Sequence, residues 1–246
     1  MTARTADPAD AWVAGTAPAG RGRAVVLSGT GRFADTWHPF AGTSARLAAI
    51  LRDQGFDPEI AGPDERLADL GDARLVVVNI GAPSAPDPER DAAGRQGLLG
   101  YLERGGPLLV MHVSSTSLPA VPEWKSVIGG IWVRGTTMHP DYGLARVHLY
   151  PDRHPIVATA TDFELYDERY SYLDVAPGVV PLATHRHDGI EHPLLWAWSY
   201  PPGDPGTGPA RVVYDALGHD ERSYDSPEHC QIIARAVRWL VADLAE

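Results

Sequence analysis

The ten histidines of this 246-residue chain are not spread like solvent-facing residues. Eight of them, His38, His112, His139, His154, His185, His187, His192 and His219, fall at the ends of apolar runs or in Gly/Pro-rich turns. Imidazole changes charge near neutral pH and also ligates metals, so several brought together make a proton-transfer or metal-binding site. His112 stands out. It ends the run Gly105-Gly106-Pro107-Leu108-Leu109-Val110-Met111, and the hydroxyl-rich turn Val113-Ser114-Ser115-Thr116 follows it. Glycine and proline stop what precedes, and four apolar residues without alternation read as a buried parallel strand. In open α/β sheets ligands lie outside the carboxyl ends of the strands, so His112 is expected to line the principal pocket. The alternative is a strand-end histidine bonded to a neighbouring carbonyl.

Other phrases carry further candidates: Thr136-Thr137-Met138-His139-Pro140, Arg153-His154-Pro155-Ile156, Leu165-Tyr166-Asp167-Glu168-Arg169-Tyr170 and Ala216-Leu217-Gly218-His219. His154-Pro155 reads better as a strand end than as a site, because the residue before proline is driven to extended backbone. Asp167 and Glu168 would point to opposite faces if they lie on a strand, so at most one should enter a given pocket. The expectation is that His112, His139, one of Asp167 and Glu168, and His219 meet around a single cavity. Three histidines and a carboxylate would suit zinc or another divalent ion, but no compact His-Glu-x-x-His pattern exists, so a metal is left open. Gly29-Thr30-Gly31 lacks the further glycine of a dinucleotide fingerprint and the Gly-Lys-Ser/Thr of a P-loop, and reads as a plain turn.

The elements that must position these residues begin with Arg23 to Ser28, a short apolar strand. A loop with Asp35, Trp37 and His38 follows, then a helix with Leu47, Ile50 and Leu51 on one face, ended by Gly55. Phe56 to Ile60 and Arg74 to Ile80 read as strands, Glu89 to Arg104 as a helix capped by Gly105-Gly106. Right-handed crossovers then give a mostly parallel sheet covered on both faces. Beyond Thr116 helices become scarce. Trp124 to Ile128 is a short helix, while Leu144 to Tyr150, Val179 to Thr184, His192 to Trp198 and Arg211 to Ala216 read as an antiparallel elaboration. Pro201 to Pro209 is a surface loop. Ser226 and Pro227 start a closing helix with Ile232, Ile233, Ala236, Val237, Leu240 and Val241 as its apolar stripe. Residues 1–22, rich in Ala, Pro, Gly, Thr and Asp, read as a flexible tail before a single domain over 23–246.

Composition narrows the partners. A formal net charge of −11 with 21 scattered basic residues argues against a nucleic-acid surface. No apolar run approaches bilayer length, no signal-peptide pattern opens the chain, and the single cysteine builds no disulfide, so no membrane partner and a cytoplasmic location are expected. Cys230 falls in the first turns of the closing helix, where packing is the expected role. Homo-oligomerisation is left open.

Taken in order, the motifs resemble the ThuA (trehalose-utilisation) family: Gly-Gly-x-Leu-Leu-Val-Met-His, Ile128-Gly129-Gly130 with His139-Pro140, His154-Pro155-Ile156, Asp167-Glu168-Arg169-Tyr170, Pro193-x-x-Trp196 and Leu217-Gly218-His219. The match covers roughly residues 23–244. The resemblance implies a class I glutamine-amidotransferase-like fold, an α/β flavodoxin-like three-layer sandwich, with His112 where amidotransferases carry their cysteine nucleophile. Val113-Ser114-Ser115 departs from the small Ala or Gly residues common there. Imidazole moves protons or binds metals rather than holding an acyl group as a thiolate does, so amidotransferase chemistry is not expected. The family further implies a small-molecule carbohydrate as ligand, particularly a 3-keto-glycoside, cleaved by a lyase or hydrolase route. In that reading His112 and His139 are candidates for base and for metal or oxyanion duty, Asp167 or Glu168 for orienting a histidine or holding sugar hydroxyls. Trp37, Tyr170 and Trp196 could stack on a pyranose or could be core residues, and His219 completes the substrate-binding set. The alternative function is a non-catalytic sugar- or metabolite-binding domain of the same fold.

Overall fold

In the computed structural model, residues 20–200 and 210–242 are described. The strands and helices run β1 (Arg23–Ser28), α1 (Phe40–Asp53), β2 (Asp57–Ala61), α2 (Pro63–Arg66), β3 (Leu75–Asn79), α3 (Pro88–Glu103) and β4 (Leu108–Met111). They continue with α4 (Trp124–Ile128), β5 (Gly130–Ile131), β6 (Gly143–Leu149), β7 (Phe163–Asp167), β8 (Asp174–Val175), β9 (Val180–His187), β10 (Ile190–Tyr200), β11 (Ala210–Asp215) and α5 (Pro227–Val241). Nine strands form one sheet in the order β2-β1-β3-β4-β11-β10-β9-β6-β7, and β5 and β8 form a small second one.

The first five strands of that order are parallel, the rest antiparallel. The fold is the flavodoxin-like sandwich expected. Strands covered on both faces have no polar side to show, which is why Leu75 to Val78 and Leu108 to Val110 are apolar without alternation and at most 1% exposed. The half-covered β6 and β7 alternate instead, with Leu144 and Tyr166 about half exposed. Helices α1 and α5 touch each other as well as the sheet, and α2 and α3 pack together. The α5 start is as read: Ser226 Oγ accepts from the His229 N–H at 3.2 Å and Pro227 occupies the first turn.

Three differences from the sequence reading matter. Arg211 to Ala216 pairs antiparallel with β10, but its other edge returns to the parallel core: β11 lies parallel against β4, Tyr214 opposite Val110. Strand β7 and the short α2, β5 and β8 were not read as elements. Of the expected tail, residues 1–19 lie outside the described residues, and Arg21 N–H already donates to Gly55 O at 3.0 Å. The expected surface loop at 201–209 also lies outside them.

Candidate functional site

His112 sits where β4 ends and a 3-10 turn over His112–Thr116 begins. Its φ of 44° is in the left-handed region, an expensive place for a residue with a Cβ. The surroundings hold it there. Its carbonyl accepts from Tyr214 Oη at 2.9 Å, and its Nδ1 lies 2.7 Å from Ala216 O, beyond the end of β11. The serines after it tie the turn down. Ser114 Oγ donates to Val78 O at 3.0 Å and accepts from Ile80 N–H at 3.0 Å, so a hydroxyl stitches the end of β4 to the end of β3.

The loop before α1 brings His38. Asp35 accepts from the Trp37 and His38 N–H groups at 2.9 and 2.8 Å and takes His38 Nδ1 at 2.8 Å on its other oxygen. Arg32 anchors this loop through Asp64 and Asp91 at 2.8 and 2.6 Å. Below it, Asn79 Nδ2 donates to Thr43 Oγ1 and Ser44 Oγ at 2.8 and 3.0 Å, fixing the start of α1.

The two carboxylates at the end of β7 divide their work, as adjacent residues on a strand should. Asp167 is fully buried and accepts from the N–H groups of Glu168, Gly218 and His219 at 2.8, 2.8 and 3.1 Å and from Ser223 Oγ at 2.6 Å. It therefore sets the 218–223 loop. Gly218 has a φ of 109°, and a Cβ there would stand 2.8 Å from Tyr224 Oη, so glycine is required for this turn. Ser223 passes the network on to His229 at 3.0 Å, and His229 Nε2 to Asp215 at 2.9 Å. This Asp-His-Ser chain is completely buried and its hydroxyl proton is given to Asp167, so it is scaffold and not a nucleophile.

Glu168 turns to the other side and collects histidines: His112 Nε2 and His219 Nδ1 each lie 3.3 Å from its Oε2, and His139 Nε2 lies 3.5 Å from its Oε1. His38, at 5.3 Å from the His112 ring and 4.9 Å from the His219 ring, closes the group. Tyr170 stacks on His112 at 4.3 Å and its Oη lies 3.0 Å from His112 Nε2. Burial pushes the Glu168 carboxyl up, but His112 and His219 outweigh it and hold it well below the usual carboxylate range. Burial lowers His219 and Glu168 more than restores it, leaving a net upward shift. Burial and then His112 push His38 down to about 4 against the pull of Asp35. Burial keeps Tyr170 protonated, so its hydroxyl is the donor to His112.

Of the residues singled out from sequence, His112, His139, Glu168 and His219 come together. Asp167 stands behind them. Trp196 does not reach them: it is completely buried, donates Nε1–H to Ile128 O at 2.8 Å and packs on Tyr214, so no sugar can stack on it. Tyr170 is 3% exposed and offers a hydroxyl rather than an open ring face. Trp37 is 74% exposed and adjoins His38 in the chain. His185, His187 and His192 cluster instead on the β9–β10 hairpin around Tyr172, and His154 lies against Trp239. The cleft between α2 and α3, lined by Arg32, Asp64 and Arg90 among others, contains no predicted site residue, so His112 does not line it. His38, one of the eight histidines singled out from sequence but not assigned to the cavity, belongs to the cluster, as does Asp35, which reads in sequence only as a loop residue; a carboxylate three positions before a histidine in a strand-to-helix loop is the available signal. Cys230 donates Sγ–H to Tyr224 O at 3.2 Å, and burial pushes its thiol up.

His112 thus ends the central strand of a flavodoxin-like α/β sandwich. The family model ThuA, described as trehalose utilisation, matches residues 23–240, and the chain belongs to that family. Among solved structures, a ThuA-like protein from Parabacteroides merdae is similar with a TM-score of 0.71 at 18% identity, over 90% of each chain. One from Bacteroides uniformis gives 0.70 at 16% identity, over 94% of this chain and 96% of that one. A glutamine amidotransferase from Thermotoga maritima gives 0.53 at 10% identity, over 91% of this chain and all of that one. At these identities the likeness is one of fold. No curated protein matches the chain. Among the described residues, no helix is long and apolar enough to cross a membrane.

Proposed function

We propose that this protein cleaves a small 3-keto-glycoside by proton abstraction and elimination. The observation that carries the reading is the gathering of three histidines within 3.3–3.5 Å of the single carboxylate Glu168 at the carboxyl end of β4. The family's link to trehalose utilisation supports a sugar as the ligand. His139 is the base. Its Nδ1 lies 3.0 Å from Pro140 O, a group that only accepts, so Nδ1 carries the hydrogen and Nε2 presents its lone pair. With its side chain 37% exposed, it is the most accessible histidine around Glu168.

A ketone at C3 acidifies the proton at C2. His139 Nε2 takes that proton, the C2–H electrons form the C1–C2 double bond, and the C1–oxygen bond breaks. The imidazolium then returns its proton to the departing glycosidic oxygen, so charge and atoms balance. His219 faces the keto oxygen and stabilises the negative charge it gathers during abstraction, and Glu168 holds the His219 and His112 rings in place. Each acid or base contribution of this kind is worth about 10²–10⁴-fold. The test is incubation with an aryl 3-keto-glucoside in D2O, following free aglycone by absorbance and the C2 proton by NMR. The expected result is aglycone release that His139→Gln abolishes. Binding of the keto-glucoside with neither release nor C2 exchange would refute the reaction and mark a binding domain.

A further inference from the structure

We infer that His38 Nε2, His112 Nε2, His219 Nδ1 and one oxygen of Glu168 form a binding site for a divalent transition metal, with zinc the closest match. These four atoms lie within 4.8 Å of one another. They come from four separate stretches of chain: the loop before α1, the end of β4, the end of β7 and the turn after β11.

The hydrogen-bond inventory calls for a cation. His38 Nδ1 is held by the Asp35 carboxylate at 2.8 Å and His112 Nδ1 by the Ala216 carbonyl at 2.7 Å. Both partners only accept, so in each neutral ring the hydrogen is on Nδ1 and Nε2 turns a lone pair toward the centre. Glu168 brings only acceptors. His38 Nε2 and His219 Nδ1 are buried and make no hydrogen bond. Buried polar atoms without partners are costly, and the His38 and His112 lone pairs turned toward the acceptors of Glu168 are more so. An ion at the centre satisfies all of them together.

The spacing agrees. A tetrahedral ion with bonds of about 2.0–2.1 Å holds its ligand atoms about 3.3–3.4 Å apart. His112 Nε2 and His219 Nδ1 are each 3.3 Å from Glu168 Oε2. All the remaining pairs lie within 4.8 Å. The Asp35–His38 pair supplies the carboxylate that commonly orients a metal-bound imidazole. The donor set, three imidazoles and a carboxylate, is that of a zinc-class ion rather than of magnesium or calcium, which take oxygen. At present the Tyr170 hydroxyl occupies the His112 Nε2 lone pair, and ligation requires it to turn away. Because the site coincides with the one proposed to face the keto oxygen, this inference deepens that reading, and the ion would supply Lewis acidity there.

The test is titration of the chelator-treated full chain with ZnCl2 by calorimetry, with Co²⁺ as a visible-spectrum probe of coordination. The expected result is about one ion per chain with a tetrahedral cobalt spectrum. Asp35→Asn, which leaves all four ligands, lowers affinity by about 10–100-fold. His38→Ala and His219→Ala lower it further, while Tyr170→Phe, which frees His112 Nε2, keeps or strengthens it. Thermal unfolding of each variant identifies the folded ones, and Asp35→Asn and Tyr170→Phe keep the test decisive should the alanine variants not fold. A stoichiometry far below one, or affinity unchanged in Asp35→Asn and His219→Ala, overturns the inference. Turnover of the keto-glucoside is read on the same samples. Zinc uptake without cleavage refutes the reaction and leaves the site standing, whereas cleavage by protein that takes up no zinc does the reverse.

Discussion

Asp167→Asn tests the division of labour at the end of β7. Each Asp167 oxygen accepts two hydrogen bonds: Oδ1 from the Glu168 and His219 N–H groups, Oδ2 from Gly218 N–H and Ser223 Oγ. An amide keeps one oxygen and turns an NH2 group toward the other two donors. The side chain is fully buried, so the nitrogen cannot escape to solvent. If it takes the Oδ2 place, Ser223 can turn its hydroxyl, but Gly218 N–H cannot change its sign and stays unpaired. Two charge-assisted bonds lost and one buried donor orphaned come to roughly 3 kcal/mol. In a domain of this size that is a fall of roughly 6–12 °C in the thermal midpoint. His139→Ala is the counterpart: a side chain 37% exposed, with one hydrogen bond to its own neighbour, should change stability by less than about 0.5 kcal/mol. Thermal and urea unfolding of both variants at pH 7 measures the contrast. A midpoint for Asp167→Asn within a degree of the parent would refute the account of this network.

His112→Ala should lose turnover and also cost about 2–4 kcal/mol in urea unfolding, since it unpairs the buried Ala216 carbonyl and leaves alanine at a φ of 44°. Gly218→Ala should lower the thermal midpoint by several degrees and disturb His219, because its Cβ would meet Tyr224 Oη; an unchanged midpoint would count against the required turn. Burial pushes His185 down to about 4, so as pH falls the unfolded chain takes its proton first. Stability from this group is complete above pH 6.5 and declines between 6.5 and 4, by up to about 3 kcal/mol. His185→Gln should flatten that part of a stability-against-pH profile, and an identical slope would refute the assignment.

The parallel core was legible because strands covered on both faces must be apolar throughout, and Leu75 to Val78 and Leu108 to Met111 can be read no other way. The histidine at the end of β4 was legible from that same boundary. Strand β7 was hidden because its two exposed positions carry Glu164 and Tyr166, and five alternating residues are a weak signal next to a charged phrase. The place of β11 was hidden for another reason. Val212, Val213 and Tyr214 suit either direction of pairing, and only the choice of neighbour, made across the whole fold, decides it. The place of His38 in the cavity and the part played by Asp35 were hidden because they depend on residues more than 70 positions away. For Trp196 both a core and a stacking role stayed open, because a tryptophan that fills a core and one that meets a sugar look alike in sequence, and only its complete burial decides for the core.

The neighbour of β4 carries a consequence for how the chain reaches its native state. Val110 is paired with Tyr214, and His112 with the carbonyl of Ala216, 104 residues away. The central strand is therefore enclosed only when a segment near the end of the chain arrives beside it, after the whole antiparallel excursion. Closing so long a loop is entropically costly before any contact repays it, and such pairings form slowly. His112 and Glu168 can meet His219 only after that event. Refolding from urea should accordingly show most secondary structure first and zinc uptake, like turnover, in the slowest phase, with a chain ending before residue 210 holding neither.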